Sequence, residues 1–69
     1  MNNNYFVCVL KTGEYLDFQK RCTYVTEWSS DMISFEHKDM EDKTMVLEII
    51  PKNKILRIIN KEHKNGQTV

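Results

Sequence analysis

The chain has 69 residues, 41% of them apolar, and its ten Lys/Arg balance ten Asp/Glu, which describes one small domain and leaves no room for a second. A neutral protein exerts little long-range pull on nucleic acid unless its bases cluster. No apolar run approaches the roughly 18 residues of a membrane span, and Met1–Asn4 lacks the basic start and apolar core of a secretion signal, so the expectation is a cytoplasmic protein.

Period-two patterning dominates, filled by the β-branched and aromatic residues that suit a pleated surface. The first predicted strand runs Tyr5 to Leu10 and is followed by Lys11-Thr12-Gly13, where Gly13 supplies the positive φ of a tight hairpin. The second, Glu14 to Gln19, alternates Leu16 and Phe18 with Tyr15 and Asp17. The third, Thr23 to Trp28, ends at Ser29-Ser30-Asp31, short side chains that bond their own backbone in turns. The fourth runs Met32 to His37, with Ile33 and Phe35 facing inward. Lys38 to Lys43 reads as an exposed loop at a hairpin tip. The fifth strand, Thr44 to Ile50, must stop or become an edge at Pro51, which donates no ladder hydrogen bond. Pro51-Lys52-Asn53 predicts a compact turn and Lys54 to Ile59 the sixth strand, while the residues from Asn60 onward, 60–69, read as a polar tail. Six short strands without intervening helices predict an all-β fold, a small five- to six-stranded antiparallel barrel over residues 1–59.

Three of these strands are apolar on both faces. The first sets Tyr5, Val7 and Val9 against Phe6, Cys8 and Leu10; the fifth sets Met45, Leu47 and Ile49 against Val46 and Ile50, with Glu48 breaking the second row; the sixth is interrupted by Arg57 alone. A strand on a small barrel wall buries one face and wets the other. The surplus predicts that a second copy or another protein covers Val7, Val9, Val46, Ile50, Leu56 and Ile58. Size points the same way, because a domain this short buries only about 60% of its unfolded surface and gains from association.

The zero net charge conceals an asymmetry. Five bases face nine acids from Met1 to Pro51, whereas Lys52, Lys54, Arg57, Lys61 and Lys64 face only Glu62 beyond it, so the two parts carry −4 and +4. Cys8 and Cys22 lie inside apolar runs and read as buried thiols; with His37 and His63 they offer no short-spaced zinc pair. The acidic loop Asp39, Glu41, Asp42 lacks the repeat and glycine of a calcium loop, and neither histidine has a Ser or Cys at a catalytic spacing. No cofactor, metal or catalytic residue is therefore expected.

Two stretches resemble the Sm-like family of SH3-like barrels: Val7-Cys8-Val9-Leu10-Lys11-Thr12-Gly13-Glu14, similar to its strand, turn and glycine opening, and Ile49 to Ile58, similar to its closing strand pair. The resemblance implies a five-stranded barrel that assembles into rings and binds RNA. At the loop that contacts RNA in that family this chain has Ser29-Ser30-Asp31-Met32, without the Asn that usually follows the Asp, and the closing turn lacks the usual glycine.

Together these features lead to a non-enzymatic interaction protein, a self-associating β-barrel that binds another macromolecule; its composition resembles small phage or mobile-element accessory proteins, inhibitors among them. The alternative is an Sm-like RNA- or DNA-binding module with Lys52, Lys54, Arg57, Lys61 and Lys64 on phosphates and Tyr24 and Trp28 stacking on bases. A third reading is an oligomer that sequesters a small ligand between protomers.

Overall fold

The computed structural model describes residues 4–62, and within them the chain is all-β. Six strands, β1 (Asn4–Leu10), β2 (Tyr15–Leu16), β3 (Tyr24–Ser29), β4 (Met32–Lys38), β5 (Thr44–Pro51) and β6 (Ile55–Glu62), are joined by turns and two short 3-10 segments. They form two three-stranded antiparallel sheets, ordered β2-β1-β6 and β3-β4-β5. The barrel expected from the strand count is not closed. Closure needs every strand bonded on both sides, but β2 stops after two residues, and β5 and β6 each have a partner on one side alone. Among the described residues no helix is long and apolar enough to cross a membrane.

Local chemistry accounts for the turns. After β1, Gly13 adopts φ 96° and its N–H donates to the Leu10 carbonyl at 2.8 Å, closing the hairpin. Two departures from the pattern follow. Glu14 to Gln19 alternates like a strand, yet only Tyr15–Leu16 pairs with β1; Phe18–Lys20 winds into a 3-10 turn. There the Asp17 carboxylate accepts the Gln19 N–H at 3.0 Å, and Phe18, Gln19 and Lys20 all take positive φ. This left-handed reversal carries the chain from the first sheet to the second and drops Phe18 onto the core. At the other end, Asn60, Lys61 and Glu62 are not tail: they extend β6 by pairing opposite Phe6, Tyr5 and Asn4. Main-chain ladder bonds serve any side chain, so polar composition hides such an extension. The rest of the expected tail, 63–69, with His63 and Lys64, lies outside the described residues.

The core lies between the sheets. Cys8 from β1, Cys22 ahead of β3, Phe35 from β4 and Ile50 from β5 are buried together, and the Phe35 ring stacks on Phe18 with centroids 5.2 Å apart. A main-chain bond from Phe6 N–H to the Cys22 carbonyl, 2.8 Å, stitches the sheets at that point. Both cysteines are free thiols. Burial pushes both thiols up from the ordinary cysteine value; the nearby Cys22 adds to the effect at Cys8, while main-chain hydrogen bonds to Tyr24 and Glu36 partly oppose it at Cys22.

A raised thiol pKa means that the folded chain holds the proton more tightly than the unfolded one. The stabilisation is complete below the unfolded-chain value of about 8.5 and is lost progressively as pH rises from there toward the raised folded value. The melting temperature is therefore expected to fall as pH rises above about 8.5. Cys8→Ala, which starts from a lower value but has one titrating thiol fewer, should show the shallower fall; equal slopes in thermal melts would exclude the thiols as the cause.

Candidate interaction surfaces

The two apolar faces of β1 are explained by its central position. Val7 and Val9 are only 2% and 3% exposed on one face, and Cys8 is fully buried on the other. The register sets Ile59 beside Val7, and Arg57 and Tyr15 on either side of Val9. Ile50 is buried as well, in the core. The structure thus takes Val7, Val9 and Ile50 inside the single chain, so these three residues offer no accessible partner face. Periodicity identifies an apolar residue but tells neither that its strand is central, as for Val7 and Val9, nor that its side of an edge strand meets the core, as for Ile50 on β5.

Val46, Leu56 and Ile58 remain at the surface, joined by Met45. All four sit on β5 or β6, the eight-residue strands at the outer edges of their sheets. Leu56 is 60% exposed because it is the extra residue of a β-bulge: Arg57 pairs with Val9 and Ile55 with Leu10, leaving Leu56 without a partner on β1. A matching irregularity in β5 skips Leu47, which packs against the core. Beyond these strands the main chain finds no ladder partner among the described residues. Such an edge is a template for further pairing.

Within its apolar stretch each edge carries one charge, Glu48 in β5 and Arg57 in β6. Both are exposed, and neither belongs to the ion pairs found among the described residues, Lys43 with Glu41 and Lys52 with Glu27. Glu48 also lines a cleft of about 510 Å3 with Glu14, Asp17, Tyr15, Leu16 and Phe18, and no base lines it.

The second sheet carries two of the exposed aromatics, Tyr24 and Trp28, while Tyr15 lies on β2 of the first. Tyr24 and Trp28 alternate along β3 with Thr26 between them. Beside them on β4, Ser34 and Glu36 are buried, the serine hydroxyl donating to the Glu36 carboxylate at 2.8 Å. Lys38 places its ammonium 4.1 Å from the centre of the Tyr24 ring. Tyr24 therefore borders both the Glu36 carboxylate across the strands and the Lys38 ammonium over its ring. Of the bases, Lys52 is committed to Glu27, Lys54 ends the 3-10 turn, and Arg57 and Lys61 lie on β6 in the other sheet. The basic residues are thus divided: Lys38 meets the Tyr24 ring and Lys52 reaches Glu27 on β3, whereas Arg57 and Lys61 lie on the other sheet.

The His37 ring donates from Nδ1 to the Arg21 carbonyl at 2.8 Å, since a carbonyl only accepts, and Cys8 and Cys22 are buried. Among the described residues no group of three His, Cys, Asp or Glu side chains is placed to hold a metal ion. Compared with known proteins, the chain matches no family, no curated sequence and no solved structure.

Proposed function

We propose that this is a non-enzymatic interaction protein, a small all-β unit that associates with copies of itself through its sheet edges and binds another macromolecule. One observation carries the reading: two eight-residue edge strands expose Met45, Val46, Leu56 and Ile58 while their outer main-chain groups have no ladder partner among the described residues. Monomeric proteins blunt such edges by shortening, charging or covering them. Here β5 and β6 run eight residues each and carry a single charge each within their apolar stretches.

Of the four edge strands, β2, β3, β5 and β6, the two longest are β5 and β6, and two such edges on one chain have a geometric consequence. Edges that differ in sequence and position join head to tail, giving a closed ring where the rotation closes and a filament where it does not. Association also compensates for the modest burial that a 69-residue domain achieves alone.

Sedimentation of the full chain at tens of micromolar is expected to show a defined species larger than the monomer, with a melting temperature that rises with protein concentration. A monomer at that concentration overturns the reading. A parallel titration with short RNA and single-stranded DNA at low salt is expected to show no binding. Tight binding that weakens steeply with added salt would instead establish a phosphate-directed nucleic-acid protein.

A further inference from the structure

The self-association just proposed leaves open which edge meets which, and the charges answer that question. Within β5 the only charged residue is Glu48, and within the apolar half of β6, Ile55 to Ile59, the only one is Arg57. They are opposite in sign, similarly placed near the middle of an apolar stretch, exposed, and free of ion pairs among the described residues. Their surroundings extend the contrast. Glu48 opens onto the cleft that Glu14 and Asp17 also line, with Leu16 and Phe18 as its apolar part and no compensating base. Arg57 has Lys61 four residues along the same strand, with Glu62 as the only acid of β6.

We infer that the occupant of the β5 edge is the β6 edge of a second copy, with Arg57 of one protomer seated at the acidic cleft around Glu48 of the next. This rests on the self-association reading and adds its polarity. Like edges are disfavoured, since β5 against β5 brings two carboxylates together and β6 against β6 two guanidinium groups; a like-charge contact in an interface works against wrong pairings. Arginine suits the site because its planar fork donates to several carboxylate oxygens at once while its stem lies along apolar side chains. The −4 and +4 parts of the sequence then meet between copies as well as within one, where Lys52 pairs with Glu27.

A different role for these charges makes the opposite prediction. A lone charge in an edge strand also serves as a gatekeeper that prevents pairing, and its removal then promotes association. Glu48→Gln separates the two: the head-to-tail pair requires association to weaken by at least about tenfold, equivalent to about 1.4 kcal/mol, whereas a gatekeeper requires it to strengthen.

Charge reversal tests the polarity directly. Glu48→Arg and Arg57→Glu, each verified as folded by circular dichroism, are expected to sediment as monomers when alone. Mixed in equal amounts they are expected to recover the wild-type species, because every junction in an alternating assembly again joins opposite charges. The double variant E48R/R57E should likewise recover it. If wild type associates but both single variants do so equally well, or if only one of them is affected and mixing does not restore it, the polarity is wrong while edge association stands. If wild type is itself monomeric, the underlying reading fails first.

Discussion

Phe35→Ala is expected to leave most of the chain unfolded at about 25 °C. Phe35 is the largest fully buried side chain and sits where the sheets meet, stacked on Phe18 and grouped with Cys8, Cys22 and Ile50. Truncating a buried Phe removes about 3–5 kcal/mol through lost transfer free energy and the cavity left behind. Loss of the ring pair adds about 0.5–1.5 kcal/mol. A domain of 69 residues has about 3–10 kcal/mol in total at 0.05–0.15 kcal/mol per residue. The deficit therefore takes most or all of the stability. Relaxation cannot fill the gap easily, because Phe18 is held by a turn whose three positive-φ residues fix its backbone. Urea titration followed by circular dichroism reads the result; a loss below about 1 kcal/mol would show that the Phe18–Phe35 contact does not anchor the two sheets.

How much of this arrangement was legible in the sequence depends on what sets each feature. The Gly13 hairpin and the stop near Pro51 follow from residues with restricted or special backbone chemistry, and the structure places both as expected. Leu16 and Phe18 show the limit of periodicity: both do pack on the core, but Phe18 arrives there from a left-handed turn rather than a strand. The signal that separates the two is Asp17, whose carboxylate caps Gln19, a local bond that the alternation of apolar residues does not register. The stretch Asn60 to Glu62 was hidden for the converse reason, since its pairing with β1 uses main-chain groups alone.

The interaction surface was legible in part. Val46, Leu56 and Ile58 stand on the outside as the two-faced pattern implies, while Val7, Val9 and Ile50 are enclosed. Strand order decides for Val7 and Val9, on the central β1, and the face turned to the core decides for Ile50, which shares edge strand β5 with the exposed Val46; both are set by tertiary packing. Glu48 and Arg57 were visible as the interruptions of otherwise apolar rows, but the company Glu48 keeps was not. Glu14 and Asp17 are more than thirty positions away in the sequence and reach the same cleft only because β2 and the turn after it fold back along the first sheet.

If the exposed leucine and valine of the edges are what copies of the chain bury, then Val46→Lys with Leu56→Lys is expected to yield a monomer whose own fold persists. The two sites are 45% and 60% exposed, so substitution at each should change the stability of an isolated protomer by no more than about 0.5 kcal/mol. In an interface each apolar side chain contributes about 1.5–3 kcal/mol when fully buried, and an ammonium placed there adds a desolvation cost. Together these weaken association by at least about 3 kcal/mol, over a hundredfold. Lysine is the appropriate replacement because it is the residue that natural edge strands use to refuse a neighbour. Sedimentation should return the monomer mass, and the melting temperature should lose its dependence on protein concentration while the circular dichroism spectrum is unchanged. An assembly that survives both substitutions would place the contact elsewhere, on the Tyr24 and Trp28 face, where a Trp28→Ala variant would then abolish it. Leu56 carries the discrimination, because it lies on β6 of the first sheet, whereas Val46 shares a row with Glu36 and Tyr24 on the second.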